Sequence, residues 1–400
     1  MIVAKIKKIA VSMLVLLLCV PGAFAPGKVL AQDLSPTEIS SQAAVLMEFS
    51  SGEIIFSKNG AEQLPPASLT KVMTLLLAHE AIKQNKVTWT EEVTVSQNAW
   101  ETGGSQMFLE IGQRVPFGTM LTGIATISAN DACVAIGEHL SGSEAVFVQE
   151  MNKKAQEIGL KDTYFQNASG LHHPGHYSSA LDMARLARNL IRNFPESLKL
   201  HSQLEFTFND ILQYNRNPLL GHFNGADGLK TGHTSQAGHC LIGTASQNGL
   251  RFITVVMNAA SPAERKRDTE TLLNYAFRNY TLHQAFPAGE TIATAKVKSG
   301  EERSVDLYLE EPLAAAVPFN RQEDLDLQIS VSENVVAPVK KGDTLGSVKI
   351  LLDDKTLDEK ALHAGKNIRK ANIFSRFFRF SGDLLAGLWR QLMQALRNIF

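Results

Sequence analysis

The chain has 400 residues, of which 44% are hydrophobic, and its 39 basic and 40 acidic side chains leave a formal net charge of −1. That length predicts two or three domains with real cores, and the balanced charge excludes a general polyanion binder, so no nucleic-acid partner is expected. The charge is uneven, however: from Lys366 onward seven basic residues (Lys366, Arg369, Lys370, Arg376, Arg379, Arg390 and Arg397) face a single acid, Asp383, so the tail is a different object from the acidic body.

In chain order, the first element is an export segment. Lys5, Lys7 and Lys8 precede an apolar run from Ile9 to Val20, and small residues follow in "AFA" (23–25) and "VLA" (29–31). Cleavage is expected after Ala31, because Pro26 directly after Ala25 hinders a peptidase. The run is shorter than the ~20 residues that span a bilayer. Leu18 before Cys19 is not the small residue of a lipoprotein signal. Removing the segment leaves Cys133 and Cys240, expected as two buried thiols, with a single bridge as the alternative.

The body then reads as mixed α and β. Residues 43–60 alternate around Ser51-Gly52 and predict a β-hairpin. A helix is expected after Ser68, and "SALDMARLARNLIRNF" (179–194) carries apolar residues at helical spacing. Residues 238–260 read as two strands joined at Asn248-Gly249, and 261–280 as a helix. Beyond Pro287 short alternating segments (304–310, 325–331 and 347–352) predict a small all-β domain. In the tail, Leu385, Leu388, Trp389, Leu392, Leu396 and Ile399 fall on one helical face, near Phe374, Phe377, Phe378 and Phe380. That pattern suits a helix lying in a membrane interface or packed on another protein surface.

Three short stretches carry chemistry. In "PPASLTKVMT" (65–74), Ser68 and Lys71 are three apart where a proline-broken loop meets an apolar run. On a helix they share a face, so the lysine amine lies near the serine hydroxyl. An amine becomes a useful base when desolvation or nearby cations lower its pKa. A helix start also supplies N–H groups where an oxyanion forms. By itself the pair also fits a capping serine and a solvated lysine. The second stretch offers Ser128 and Asn130 before a helical run, which alone reads as helix capping. In the third, Lys230, Thr231 and Gly232 open a strand, which alone reads as an edge strand guarded by a charge.

Taken in order, Ser-x-x-Lys, Ser-x-Asn and Lys-Thr-Gly resemble the signature of the serine penicillin-recognising enzymes. The match extends to "SANDACVAI", "HYSSALDMARLARNLI", "EFTFNDI", "NRNPLL" and "DGLKTGHTSQAGHC", from about residue 43 to about 280. The chain thus resembles the low-molecular-mass penicillin-binding proteins that are serine-type D-alanyl-D-alanine carboxypeptidases. The resemblance implies an α/β (α+β) β-lactamase/transpeptidase-like catalytic domain over 32–284, a small β-domain over 285–365 and an amphipathic anchoring tail over 366–400. It implies Ser68 as nucleophile, Lys71 as its base and Ser128 as proton relay to the leaving D-alanine. Asn130 would hold the substrate amide, Lys230 would supply positive charge, and Thr231 beside Gly232 would grip the terminal carboxylate. The amides of Ser68 and His233 would form the oxyanion hole. Arg216 either shares the carboxylate or is a surface residue of an extended loop. Expected partners are a peptidoglycan stem peptide ending in D-Ala-D-Ala, β-lactam antibiotics and the outer face of the cytoplasmic membrane. No metal or other cofactor is implied.

Rival activities find less support. A class A β-lactamase needs Glu-x-x-x-Asn between the second and third stretches, whereas "ETLLN" (270–274) lies after Lys230. A silent penicillin sensor would lack a motif residue. A DD-endopeptidase uses the same residues and differs in groove shape. "HHPGH" (172–176) reads as a polar loop, since Pro174 and Gly175 preclude helical ligand geometry, and Asp182 as a structural cap.

Overall fold

The computed structural model describes residues 38–372; the export segment and the amphipathic positions beyond 372 lie outside the described residues. The expected hairpin forms as β1 (Ala43–Glu48) and β2 (Ile54–Lys58), turning through Gly52 at φ +77°. There follow α1 (Lys71–Lys83), β3 (Glu92–Thr94), α2 (Gln97–Glu101), β4 (Arg114–Pro116), α3 (Phe117–Thr126), α4 (Asn130–Ser141) and α5 (Glu144–Glu157). Next come α6 (Ala180–Asn193), α7 (Leu198–His201), the hairpin β5 (Glu205–Phe208) and β6 (Ile211–Tyr214), and β7 (Ala226–Thr234). β8 (Gly238–Gln247), β9 (Leu250–Ala259) and α8 (Pro262–Asn279) complete the catalytic domain.

One antiparallel sheet organises these elements, in the order β2-β1-β9-β8-β7. Alternation along β1 sends Val45 and Met47 to one face and Ala44 and Leu46 to the other. The first face packs under α1, α3, α4 and α6; the second packs on Leu272, Leu273 and Ala276 of α8. Covered on both sides, β1 is buried along its whole length. α1 is buried nearly all round as well, which explains why its sequence is apolar without a polar stripe. The β8–β9 turn places Asn248 at φ +51° and Gly249 at φ +82°, the twist a two-residue hairpin loop requires. Ser179 and Ser261 cap α6 and α8 by accepting the amides of Asp182 and Glu264.

The β-domain comprises β10 (Tyr280–Phe286), β11 (Thr291–Lys298), β12 (Ser304–Tyr308), β13 (Leu313–Pro318), β14 (Asp326–Val331), β15 (Val335–Val336), β16 (Thr344–Leu352) and β17 (Lys355–Ala364). A six-stranded sheet runs β14-β16-β17-β12-β11-β15, and β10 pairs with β13. Its first strand starts at Tyr280, earlier than position 285, because α8 passes into β10 with no loop whose composition would mark a boundary. Phe252 of β9 lies edge-on to both Phe277 and Tyr280 and fixes that joint. Residues 366–371 run back along the β-domain through Gly300–Lys370 and Val339–Ile368 bridges, so they are continuous with it and not with the tail.

Candidate active site

Ser68 sits in a short 3₁₀ turn (Ala67–Thr70) that runs directly into α1. The turn is strained where it meets the nucleophile: Ala67 has φ +47°, a left-handed conformation costing an L-residue roughly 1–2 kcal/mol. Two glycines allow the crowding around it. A Cβ on Gly170 would stand 1.9 Å from the Ala67 carbonyl oxygen. One on Gly232 would stand 3.1 Å from the Pro66 carbonyl oxygen and 3.2 Å from the Ser68 amide nitrogen. β7 therefore runs hard against the serine turn.

Lys71, the first residue of α1, is fully buried. Its Nζ donates to Ser68 Oγ at 2.9 Å, Asn130 Oδ1 at 2.6 Å and the Ser169 carbonyl at 2.5 Å, which uses all three donors of an ammonium. Burial pulls its pKa down to about 8, against the opposing pull of Cys133 and Asp131. Lys230 is 3% exposed and donates to the Thr231 carbonyl at 3.0 Å. Burial first, and then the neighbouring Lys71, holds its pKa well below the ordinary value. β7 is an edge strand, but Lys230 points inward and guards no edge.

The second stretch closes the opposite part of the constellation. Ser128 holds φ +69° in the turn between α3 and α4, and Asn130 opens α4. Asn130 Nδ2 donates to the Gly103 carbonyl at 2.7 Å, which leaves its Oδ1 free to receive Lys71. Asp131 anchors the facing loop, accepting the amides of Met107 and Leu109 at 3.1 and 3.2 Å. A cavity of about 490 Å³ joins these parts. Ser68, Ser128, Asn130, Thr231, Gly232 and His233 line it, as does Arg216, which donates to Ser105 Oγ at 2.8 Å on the rim. All the expected site residues therefore converge on one place, Lys71 and Lys230 lying beneath the lining.

Several contributors escaped sequence reasoning. The Ser169 carbonyl is a backbone group and leaves no trace in residue type. Gly170 could have been suspected only from the close approach it permits. Asp131 follows Asn130 at the start of a helical run, where an aspartate is ordinary. Arg265, on α8, lines the cavity at 8% exposure, and its Nε has no partner among the described residues. His239, also lining the cavity, stacks on His233 with ring centroids 4.3 Å apart. Among the described residues no carboxylate lines the cavity.

The "HHPGH" loop differs in part from a polar surface loop. His172 and His173 are exposed, but His176 is 3% exposed behind the serine turn. Its Nδ1 accepts the Gln166 amide at 3.3 Å, so Nε2 carries the proton it shares with Thr70 Oγ1 at 2.9 Å. Burial, then His173, lowers its pKa to about 4, so it stays neutral. Asp182 is structural as expected, accepting the Asp162 amide and the Thr163 hydroxyl. Cys133 and Cys240 are free, buried thiols. Among the described residues no cluster of three or more His, Cys, Asp or Glu could hold a metal ion, and no helix is long and apolar enough to cross a membrane.

A serine beside the strained Ala67 and against a desolvated lysine, faced by Ser-x-Asn and a Lys-Thr-Gly strand, defines a serine acyl-transfer site on a transpeptidase-type fold. Comparison with known proteins agrees: residues 30–261 match the D-alanyl-D-alanine carboxypeptidase family, and 280–370 match the penicillin-binding protein 5 C-terminal domain. The chain is 38% identical to the D-alanyl-D-alanine carboxypeptidase DacF of Bacillus subtilis, over 90% of this chain and 95% of that relative. It is 35% identical to DacC of Escherichia coli, over 91% and 92%. Among solved structures, penicillin binding protein 5 of Haemophilus influenzae aligns with a TM-score of 0.72 and 37% identity, covering 84% of this chain and 100% of that one. The chain belongs to the D-alanyl-D-alanine carboxypeptidase family, a family of serine hydrolases.

Proposed function

We propose that this carboxypeptidase releases the terminal D-alanine from peptidoglycan stem pentapeptides by acylating Ser68, with Lys71 as the base. The observation that carries the reading is the bonding of Lys71. When the amine loses one proton, Asn130 Oδ1 and the Ser169 carbonyl retain the two N–H groups, and the lone pair is left facing Ser68 Oγ. With a pKa of about 8, roughly a tenth of the lysine is in that form at pH 7. Ser68 gives its proton to Lys71 as Oγ attacks the penultimate carbonyl. The Ser68 and His233 amides receive the oxyanion. Ser128 passes the proton to the departing D-alanine nitrogen, and water then cleaves the ester.

In this scheme Thr231 and Arg216 hold the terminal carboxylate, with Lys230 contributing charge from below. Penicillin acylates the same serine, but its leaving group stays tethered and obstructs water. The enzyme works outside the cytoplasm, and its tail beyond 372 holds it at the membrane surface, with the β-domain as spacer.

The test is D-alanine release by the purified mature protein from a stem pentapeptide, beside a crosslinked dimer peptide and a Ser68→Ala control. Release from the pentapeptide alone, lost in the control, is expected. Preferential cleavage of the dimer would replace the reading with an endopeptidase. Cleavage of neither, with labelled penicillin still attaching to Ser68, would leave only the acylation half standing. For the tail, the full chain should sediment with anionic vesicles and a chain ending at Asn372 should not.

A further inference from the structure

Behind the cavity, α7 is a single four-residue helix with hydrogen bonds to three segments that each carry site residues. His201, fully buried, donates from Nδ1 to the Leu229 carbonyl at 2.8 Å, the peptide immediately before Lys230. The His201 carbonyl accepts Asn215 Nδ2 at 3.1 Å, and Asn215 precedes Arg216. The Leu200 carbonyl accepts Thr126 Oγ1 at 3.1 Å, at the end of α3 and two residues before Ser128. These partners lie 28, 14 and 74 residues away in the chain. From this we infer that His201 is a positioning residue for the reaction, holding the Lys230 strand in register with the Arg216 and Ser128 segments.

Three further observations bear on it. A Cβ on Gly228 would stand 3.3 Å from His201 Cβ, so β7 packs directly on the histidine as well as bonding to it. On its far side the same strand passes close to the serine turn, where a Cβ added at Gly232 would stand 3.1 Å from the Pro66 carbonyl oxygen and 3.2 Å from the Ser68 amide nitrogen, so the placing of β7 bears on the placing of Ser68. Burial, then the nearby Lys230, keeps the imidazole neutral, with its pKa down at about 3. Its single ring proton therefore serves Leu229, while Nε2 has no partner among the described residues. The polar contribution of the ring is concentrated in one bond. A phenylalanine would keep the ring volume and orphan the Leu229 carbonyl, whereas an asparagine can present an N–H near the Nδ1 position.

The inference rests on the acylation reading, and wild-type protein that takes up no labelled penicillin would sink that reading before any variant is compared. The experiment uses His201→Phe, His201→Asn and Thr126→Val in the whole protein. Labelled penicillin counts competent sites, and kcat and KM for the pentapeptide are measured per labelled site, well below each melting temperature. His201→Phe should lose about tenfold in turnover and in acylation rate per site, the size of one misplaced hydrogen bond. His201→Asn should recover to within about threefold of wild type, and Thr126→Val should lose about threefold. A purely structural role would lower the melting temperature and leave per-site rates within about twofold, which would overturn the inference. So would a folded His201→Asn as slow as His201→Phe. Should His201→Phe fail to fold, Thr126→Val decides: a per-site loss supports the inference, and none overturns it.

Discussion

In the catalytic domain Lys71, Lys230, Asp131, Asp182 and Asp268 are each at most 3% exposed, whereas the β-domain keeps ion pairs such as Arg321–Asp353 and Lys349–Glu359 at the surface. Among the described residues, every buried polar or charged side chain falls between Ser41 and Thr269. The β-domain core is instead an alternation of apolar residues, Val305 and Leu307 on β12 and Val348 and Ile350 on β16 among them. Taking a charge out of water costs several kcal/mol unless each donor and acceptor is met. The catalytic domain accepts that cost both at the site, with Lys71, Lys230 and Asp131, and in its frame, where Asp182 accepts the Asp162 amide and Asp268 accepts the Ser41 amide and hydroxyl. The described β-domain keeps its charges at the surface and fills its core with apolar side chains.

The contrast can be broken most sharply at Lys71. Lys71→Arg keeps the charge but not a removable proton, and penicillin acylation should fall about a thousandfold. In the wild type, acylation should rise as pH rises towards about 8, where Lys71 deprotonates, and level off above it. An unchanged rate in Lys71→Arg, or a flat profile from pH 6 to 9, would remove Lys71 as the base. Glycines sharpen the comparison next. Gly170→Ala combines φ +85° with a 1.9 Å clash against Ala67, and should cost about 3 kcal/mol along with most of the penicillin binding. Gly342→Ala in the β-domain, at φ +91° in open space, should cost about 1 kcal/mol and leave binding intact. Denaturant midpoints and labelled penicillin read both. The smallest effect on catalysis is expected from Leu307→Ala, which should lower stability by about 3 kcal/mol while per-site D-alanine release stays unchanged. A fall in release would show that the β-domain does more than support.

Periodicity made much of this architecture legible. The hairpin at 43–60, the helices near 179–194 and 261–280, and the Asn248-Gly249 turn all follow from patterns local in the chain. The site residues were legible because Ser68, Lys71, Ser128, Asn130 and Lys230 are chemically distinctive at short spacing. What stayed hidden is of two kinds. The Ser169 carbonyl, Gly170 and the Leu229 carbonyl act through the main chain, and residue identity says nothing of where a carbonyl points. Arg265, Asp131 and His201 depend on contacts set by tertiary packing, so each looks ordinary in its own segment. The missed boundary at Tyr280 has the same origin, since a helix that runs straight into a strand leaves no Gly- or Pro-rich punctuation.

The cavity lining holds Arg216, Arg265, His233 and His239, with two lysines beneath it and no carboxylate among the described residues. Such a pocket selects as much by exclusion as by grip. A peptide with an amidated end brings no negative charge to the guanidinium groups of Arg216 and Arg265, and one ending in an amine meets like charge there. In the proposed scheme, a pocket that favours a free terminal carboxylate leaves the interior bonds of other proteins uncut, because no such carboxylate adjoins those peptide links.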